Sequence, residues 1–248
     1  MTHWIIGDIH GCALELAQLV RQINLGPEDQ LLSVGDLFHR GPDPMGVIEV
    51  LSKSNARFIL GNHEAKVLER FDLAPAKSDG SDRVELREDF GALLPEDLAG
   101  DGRRALLVEP EDCSAVLRFL QQHDGYYLEQ GQLPGAKPTP DGRSWCLVHA
   151  GLTPGVHPAD SSPVELHSIR RLEGRGRPWW YEVYQGPNLV IFGHTPSKVP
   201  RRRMVDGLLM ALGIDTACVY GGSLSAYAPE LDEWQHVPCQ KSGGYAQQ

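Results

Sequence analysis

The sequence predicts an α/β fold with a largely parallel sheet, and two observations carry that expectation. Three strand-then-helix units follow one another within about the first 70 residues, and the strand signal returns after residue 145 in short apolar runs. His3–Ile6 is β-favouring and stops at Gly7-Asp8, after which Ala13–Ile23 places Leu16, Leu19, Val20 and Ile23 at helical spacing. Gln30–Val34 reads as a strand ending in Gly35-Asp36, Met45–Leu51 as a helix, and Arg57–Leu60 as a strand ending in Gly61-Asn62. Later, Cys146-Leu147-Val148 leads to His149, and Leu189–Phe192 to Gly193-His194. Between these halves, residues 71–142 are charged and rich in Pro and Gly, with a helical fragment at Ser114–Gln122; an insertion or cap is expected there. From Met204 to Tyr227 short β-like runs alternate with Gly pairs, consistent with antiparallel strands of a second sheet. The Gly-Tyr-Ala-Gln-Gln tail is expected to be disordered.

At 248 residues, 41% hydrophobic, residues 1–248 are expected to form a single domain carrying that insertion. The formal net charge of -10 is the opposite of the basic footprint of a nucleic-acid or anionic-membrane binder, so neither partner is expected. The five cysteines form no C-x-x-C pair and are odd in number, which points away from a zinc ribbon or a disulfide framework. With no apolar run approaching a membrane span, a soluble cytoplasmic protein is expected.

Five candidate ligand clusters sit immediately after predicted strands: Asp8-x-His10, Asp36, Asn62-His63, His149 and His194. Strand C-termini of an α/β sheet converge on one edge, so residues far apart in sequence meet in one crevice. One such residue is more often a turn cap or a satisfied buried histidine, but five placed alike are not explained that way. Mixed carboxylate, amide and imidazole donors without thiolate suit divalent Mn, Fe or Zn. Two ions roughly 3.5–4 Å apart can clamp both the attacking and leaving oxygens of an in-line displacement. Asp36 is the natural bridging ligand.

Through Gly7-Asp8-Ile9-His10-Gly11, Gly35-Asp36-x-x-x-Arg40-Gly41, Gly61-Asn62-His63-Glu64, His149-Ala150-Gly151 and Gly193-His194-Thr195, the chain resembles the phosphoprotein-phosphatase group of calcineurin-like metallophosphoesterases. The resemblance implies a four-layer αββα sandwich of two mixed β-sheets flanked by helices, with two divalent ions at the strand edges, Mn first, with Fe, Zn, Ni or Co as alternatives. Asp8, His10 and Asp36 would hold one ion, and Asp36, Asn62, His149 and His194 the other. Metal-bound hydroxide would attack phosphorus without a covalent enzyme intermediate, Arg40 and Asn62 would grip the phosphate, and His63 would protonate the leaving oxygen.

One position departs from the protein-phosphatase pattern: His39 stands where an Asp usually orients the catalytic histidine. An imidazole there makes a weaker acid of His63, which matters for an alkoxide leaving group and less for a phosphoanhydride. The symmetrical dinucleoside tetraphosphatases of the family also lack that Asp, and Asp215-Thr216-Ala217-Cys218-Val219-Tyr220-Gly221-Gly222 looks like their C-terminal signature. A dinucleoside polyphosphate is therefore the expected substrate, with a Ser/Thr phosphoprotein as the alternative. A non-catalytic nucleotide-binding scaffold would need a missing ligand, and none is missing.

Arg170, Arg171, Arg175 and Arg177, with Lys198 and Arg201–Arg203, hold eight of the chain's 23 Lys and Arg and could form a local funnel for an anion. The family usually places a second phosphate-binding arginine in the first cluster, and both Arg170 and Arg171 match in position. Trp179, Trp180, Tyr181 and Tyr184 read first as core, with a base-stacking face as the alternative. Tyr220 is placed near the site by the same C-terminal resemblance.

Overall fold

The computed structural model describes residues 1–70, 106 and 108–246. Strands β1 (His3–Ile6), β2 (Gln30–Ser33) and β3 (Arg57–Phe58) alternate with helices α1 (Ala13–Ile23), α2 (Pro44–Lys53) and α3 (Asn62–Arg70). Helix α4 (Cys113–Leu120) leads to β4 (Tyr127–Glu129) and β5 (Trp145–Val148). Short helices α5 (Pro163–Ser168) and α6 (Trp180–Val183) precede β6 (Leu189–Phe192). The chain finishes with β7 (Arg201–Val205), β8 (Leu208–Gly213), β9 (Ser223–Ala228) and β10 (Glu233–Pro238).

Two five-stranded sheets result, ordered β10-β9-β1-β2-β3 and β4-β5-β6-β8-β7. In each, the central strands run parallel (Ile5 opposite Leu32; Leu147 opposite Ile191), and antiparallel strands close one edge of the first sheet and both edges of the second, so both sheets are mixed. Because side chains alternate across a strand, both faces of the central strands are apolar. Ile5, Leu32, Leu147 and Ile191 meet between the sheets, with Trp145 and Tyr227 in the same layer. Trp4 and Ile6 point the other way, against Leu16 and Leu19 of α1. On the far side Cys146, Val148, Val190 and Phe192 pack against Trp180, Tyr181 and Tyr184. The four-layer arrangement of helices, two sheets and helices is thus present.

The helices start where their sequences permit. In α2, Pro44 fills the first turn while the Asp43 side chain accepts from Gly46 N at 2.8 Å, an N-cap that sets the helix axis just after the loop bearing Arg40.

Three expectations need revision. β9 was expected with the second sheet; it joins the first, pairing Tyr227 with Ile5, because its apolar side chains complete that sheet's faces. Of the expected insertion, residues 71–105 and 107 lie outside the described residues, but from Cys113 on the chain is built into the body. There α4 buries Val116, Leu117 and Leu120 in the first core, and β4 forms an edge of the second sheet. The tail is docked as far as Ala246: Tyr245 N and Ala246 N donate to Val219 O at 2.7 and 3.0 Å.

Candidate metal centre

The loops after β1, β2, β3, β5 and β6 bring Asp8, His10, Asp36, Asn62, His149 and His194 into one buried cluster. Two glycines make the approach possible. A Cβ on Gly61 would stand 2.2 Å from Asp36 Oδ1, and one on Gly193 would stand 2.0 Å from Asp8 Oδ1. His10, Asp36, Arg40 and His194 all adopt positive φ (49°, 53°, 78° and 62°). Left-handed backbone at four non-glycine positions costs energy and clusters where function demands a geometry.

Asp8, His10 and Asp36 form one group of ligand atoms within 4.8 Å of one another, and Asp36, His149 and His194 form a second. Asp36 divides its oxygens between them: Oδ2 lies 3.6 Å from His10 Nε2, and Oδ1 lies 3.4 Å from His149 Nε2. These spacings exceed good hydrogen bonds but suit two donors of one ion, each about 2.1 Å from it. Asn62 Oδ1 joins the second group, 2.8 Å from His194 Nδ1 and 3.2 Å from His149 Nε2. His149 Nδ1 donates to Val34 O at 2.8 Å, which leaves Nε2 as the nitrogen that could hold a metal.

Charge completes the test of fit. Burial and the neighbouring Asp215 push Asp8 well above the usual carboxylate range, and burial raises Asp215 to about 6. Burial holds His10 well below its ordinary value and His194 down at about 2, leaving neutral imidazoles, the ligating form. His149, whose charge burial opposes but Asp36 favours, is held up at about 9 and gives up a proton to ligate; divalent cations relieve the crowded carboxylates, so the donor set fits the metals.

Around the centre lies a cavity of ≈180 Å³ lined by Asp8, His10, Asp36, Asn62 and His194 together with Arg40, Ser168, Arg170, Pro196, Asp215 and Tyr220. Arg40 Nη1 donates to His10 Nε2 at 2.7 Å, and its guanidinium lies 5.8 Å from the centroid of the Tyr220 ring. Arg170 Nη2 donates to His194 O at 2.8 Å. Arg171 is not brought to the cavity. The Arg171–Trp179 bridge turns its side chain outward, where it stacks on Trp179 at 4.1 Å and donates to Arg177 O. Of the eight basic residues considered as a funnel, only Arg170 lines the cavity. Arg201 is committed to Tyr181 Oη at 3.1 Å. Trp180, Tyr181 and Tyr184 are core, and no base-stacking face is formed from them.

His63 is the second residue of α3, and its buried Nε2 has no hydrogen-bond partner among the described residues, 3.9 Å from Asp36 Oδ2. Its backbone N–H donates to Asp36 Oδ1 at 3.2 Å. Glu64, fully buried, was read only as part of its motif; its carboxylate accepts from Asp36 N (2.8 Å), Leu37 N (2.9 Å) and Gly61 N (3.1 Å), tying two ligand loops together. Asp215 and Ser168 were likewise not singled out as cavity residues; Asp215 opens the C-terminal run, which was the available signal.

Fold and site together define a hydrolase of the dinuclear-metal phosphoesterase class. The chain belongs to the calcineurin-like phosphoesterases, whose family model matches residues 1–225. It is 46% identical over 281 residues to the symmetrical bis(5'-nucleosyl)-tetraphosphatase of Erwinia tasmaniensis, covering 91% of this chain and 93% of that one. It is 29% identical to the asymmetrical bis(5'-nucleosyl)-tetraphosphatase PrpE of Geobacillus sp. strain WCH70 (92% and 91% covered). To serine/threonine-protein phosphatase 1 of Salmonella typhimurium it is 28% identical (90% and 89% covered). The chain is accordingly a metal-dependent hydrolase of phosphate esters or anhydrides.

Proposed function

We propose that this chain hydrolyses dinucleoside polyphosphates at the phosphoanhydride, in the manner of the symmetrical tetraphosphatases. The observation that carries the reading is the pairing of His63 with His39. Where a carboxylate would hold a proton on His63, a second buried imidazole lies 4.6 Å away, and burial lowers His63 to about 4 and His39 to about 3. A neutral histidine pair is a poor proton source for an alkoxide but suffices for a nucleotide leaving as a phosphate anion.

Asp8, His10 and Asp36 would hold one divalent ion and Asp36, Asn62, His149 and His194 the other, manganese being the first candidate. Bound there, the ions supply positive charge opposite the phosphoryl oxygens and activate water near neutral pH. Arg40 and Arg170, entering the cavity from loops on different sheets, offer guanidinium forks to phosphate oxygens. They also attract an anion to a chain of net charge -10. His63 Nε2, without a partner among the described residues, would hydrogen-bond the leaving oxygen.

The test is a side-by-side measurement of kcat/KM for the manganese-loaded protein on diadenosine tetraphosphate and on phosphoserine and phosphothreonine peptides, with product analysis. Preference for the dinucleotide with ADP as sole product supports the proposal. AMP with ATP would make it an asymmetrical enzyme, as the Geobacillus relative is named. A preference for peptide would overturn the anhydride assignment in favour of the second reading, which the Salmonella relative's name supports. A cytoplasmic location belongs to this reading too; no helix among the described residues is long and apolar enough to cross a membrane.

A further inference from the structure

We propose that Cys12, Glu15, Cys218 and Cys239 form a second metal site, separate from the dinuclear centre, that takes one thiophilic divalent ion of the zinc type. Cys12, Glu15 and Cys218 are all buried, and each offers a ligand atom within 4.8 Å of the others. They converge from different parts of the fold. Cys12 immediately precedes α1, Glu15 lies in its first turn, and Cys218 opens a short turn between β8 and β9. Cys239, just beyond β10 and half-buried, brings a third thiol into contact with Cys218 and Glu15.

Glu15 is the second, independent indication. It is fully buried on the apolar side of α1, a place where a carboxylate is unfavourable unless a cation accompanies it. Among the described residues no Lys, Arg or His forms an ion pair with it. Oε1 accepts from Gln240 N at 2.7 Å and from Tyr245 Oη at 3.0 Å, whereas Oε2 has no hydrogen-bond partner among the described residues. Two fixed donors on one oxygen and a bare second oxygen are what orients a ligating carboxylate. Outside the cluster, Cys12 Sγ donates to His10 O at 3.7 Å and Cys239 Sγ to Lys241 O at 3.4 Å.

The donor chemistry separates this site from the centre described above. Three sulfurs with one oxygen make a tetrahedral set for zinc, whereas the dinuclear centre offers only oxygen and nitrogen. Each coordinating thiol releases its proton to solvent on binding. Occupancy would link three segments: the loop with His10, two residues before Cys12; the turn with Tyr220, two residues after Cys218; and the tail from Cys239 to Tyr245.

The experiment is cobalt(II) titration of the reduced, metal-free full-length protein, followed by ultraviolet absorption. Thiolate-to-cobalt charge transfer reports this cluster alone, since the dinuclear centre has no sulfur. The expected result is a charge-transfer band that saturates at one cobalt per chain, survives Asp36→Asn, disappears in Cys218→Ser and collapses when zinc(II) is added. X-ray absorption of the zinc-saturated wild type needs no variant and should show sulfur at about 2.3 Å beside the lighter donors. Absence of the band, its persistence in Cys218→Ser, or a zinc spectrum with nitrogen and oxygen alone would overturn the proposal. So would peptide mapping that finds Cys12 joined to Cys218 by a disulfide in the protein as isolated.

Discussion

The ring of His39 lies 4.6 Å from that of His63, tilted by 36°, with Nδ1 of His39 and Nε2 of His63 both buried and unpartnered. His39 therefore gives His63 contact but no negative charge. His39→Asp would place a carboxylate beside His63, favouring its protonated form and shifting its pKa upward from about 4. Turnover of aryl or alkyl phosphomonoesters is expected to rise by about 10-fold or more, and that of a dinucleoside polyphosphate by much less. The loss of ester turnover as His63 gives up its proton should also move to higher pH. Equal effects on the two substrates, measured as kcat, would remove the anhydride argument.

The adjacent arginines should separate cleanly. Arg170 lines the cavity while Arg171 is stacked on Trp179, so Arg170→Ala removes a phosphate contact and Arg171→Ala does not. Loss of one charge-assisted hydrogen bond corresponds to a rise in KM of roughly 10- to 100-fold for Arg170→Ala. Arg170 also donates to His194 O, so the metal content of the variant must be measured alongside. A similar KM rise in Arg171→Ala would show that the outward stacking does not describe the working enzyme.

Glu64 holds the loops of Asp36 and Asn62 through three backbone N–H donors. Glu64→Gln keeps the volume but replaces one accepting oxygen with an NH2 group that faces donors. A buried donor left without an acceptor costs about 1–3 kcal/mol. The melting temperature should fall accordingly, and manganese affinity should weaken roughly 10- to 100-fold, as when the support of a ligand is removed. Unchanged manganese affinity in a calorimetric titration would reduce Glu64 to a packing residue.

The strand-end positions of the six candidate ligands were legible because a short β-favouring run stops just before each of them, with helical spacing following in the first half of the chain. Other features depend on partners that no local pattern encodes. The membership of β9 in the first sheet rests on Tyr227 meeting Ile5, more than 200 residues away. Strand β4 has three residues, too few to display a period. Arg170 and Arg171 are indistinguishable in sequence, and only the backbone bridge from Arg171 to Trp179 sends them apart. The cluster around Glu15 joins residues from α1, from the turn after β8 and from the tail, so cysteine spacing gave no hint of it.

Metal removal should invert the pH dependence of stability on the alkaline side. Without ions, His149 is held up at about 9: burial opposes its charge, but Asp36 more than offsets that by charge and hydrogen bond. Glu64 is raised to about 7, by burial and then by Asp36. Both groups bind more protons folded than unfolded, so their contributions are complete below the unfolded values of about 6.5 and 4.3 and are lost as pH rises through the folded ones. The depressed histidines, His10, His39, His63 and His194, act in the opposite sense only at lower pH; above about 6.5 they are neutral in both states. From pH 6.5 to 9 the chelated protein should therefore lose several degrees of melting temperature. The manganese-loaded protein should not, because coordination keeps His149 neutral and strengthens as competing protons leave. Parallel melting curves for the two forms across that range would exclude His149 from the metal centre.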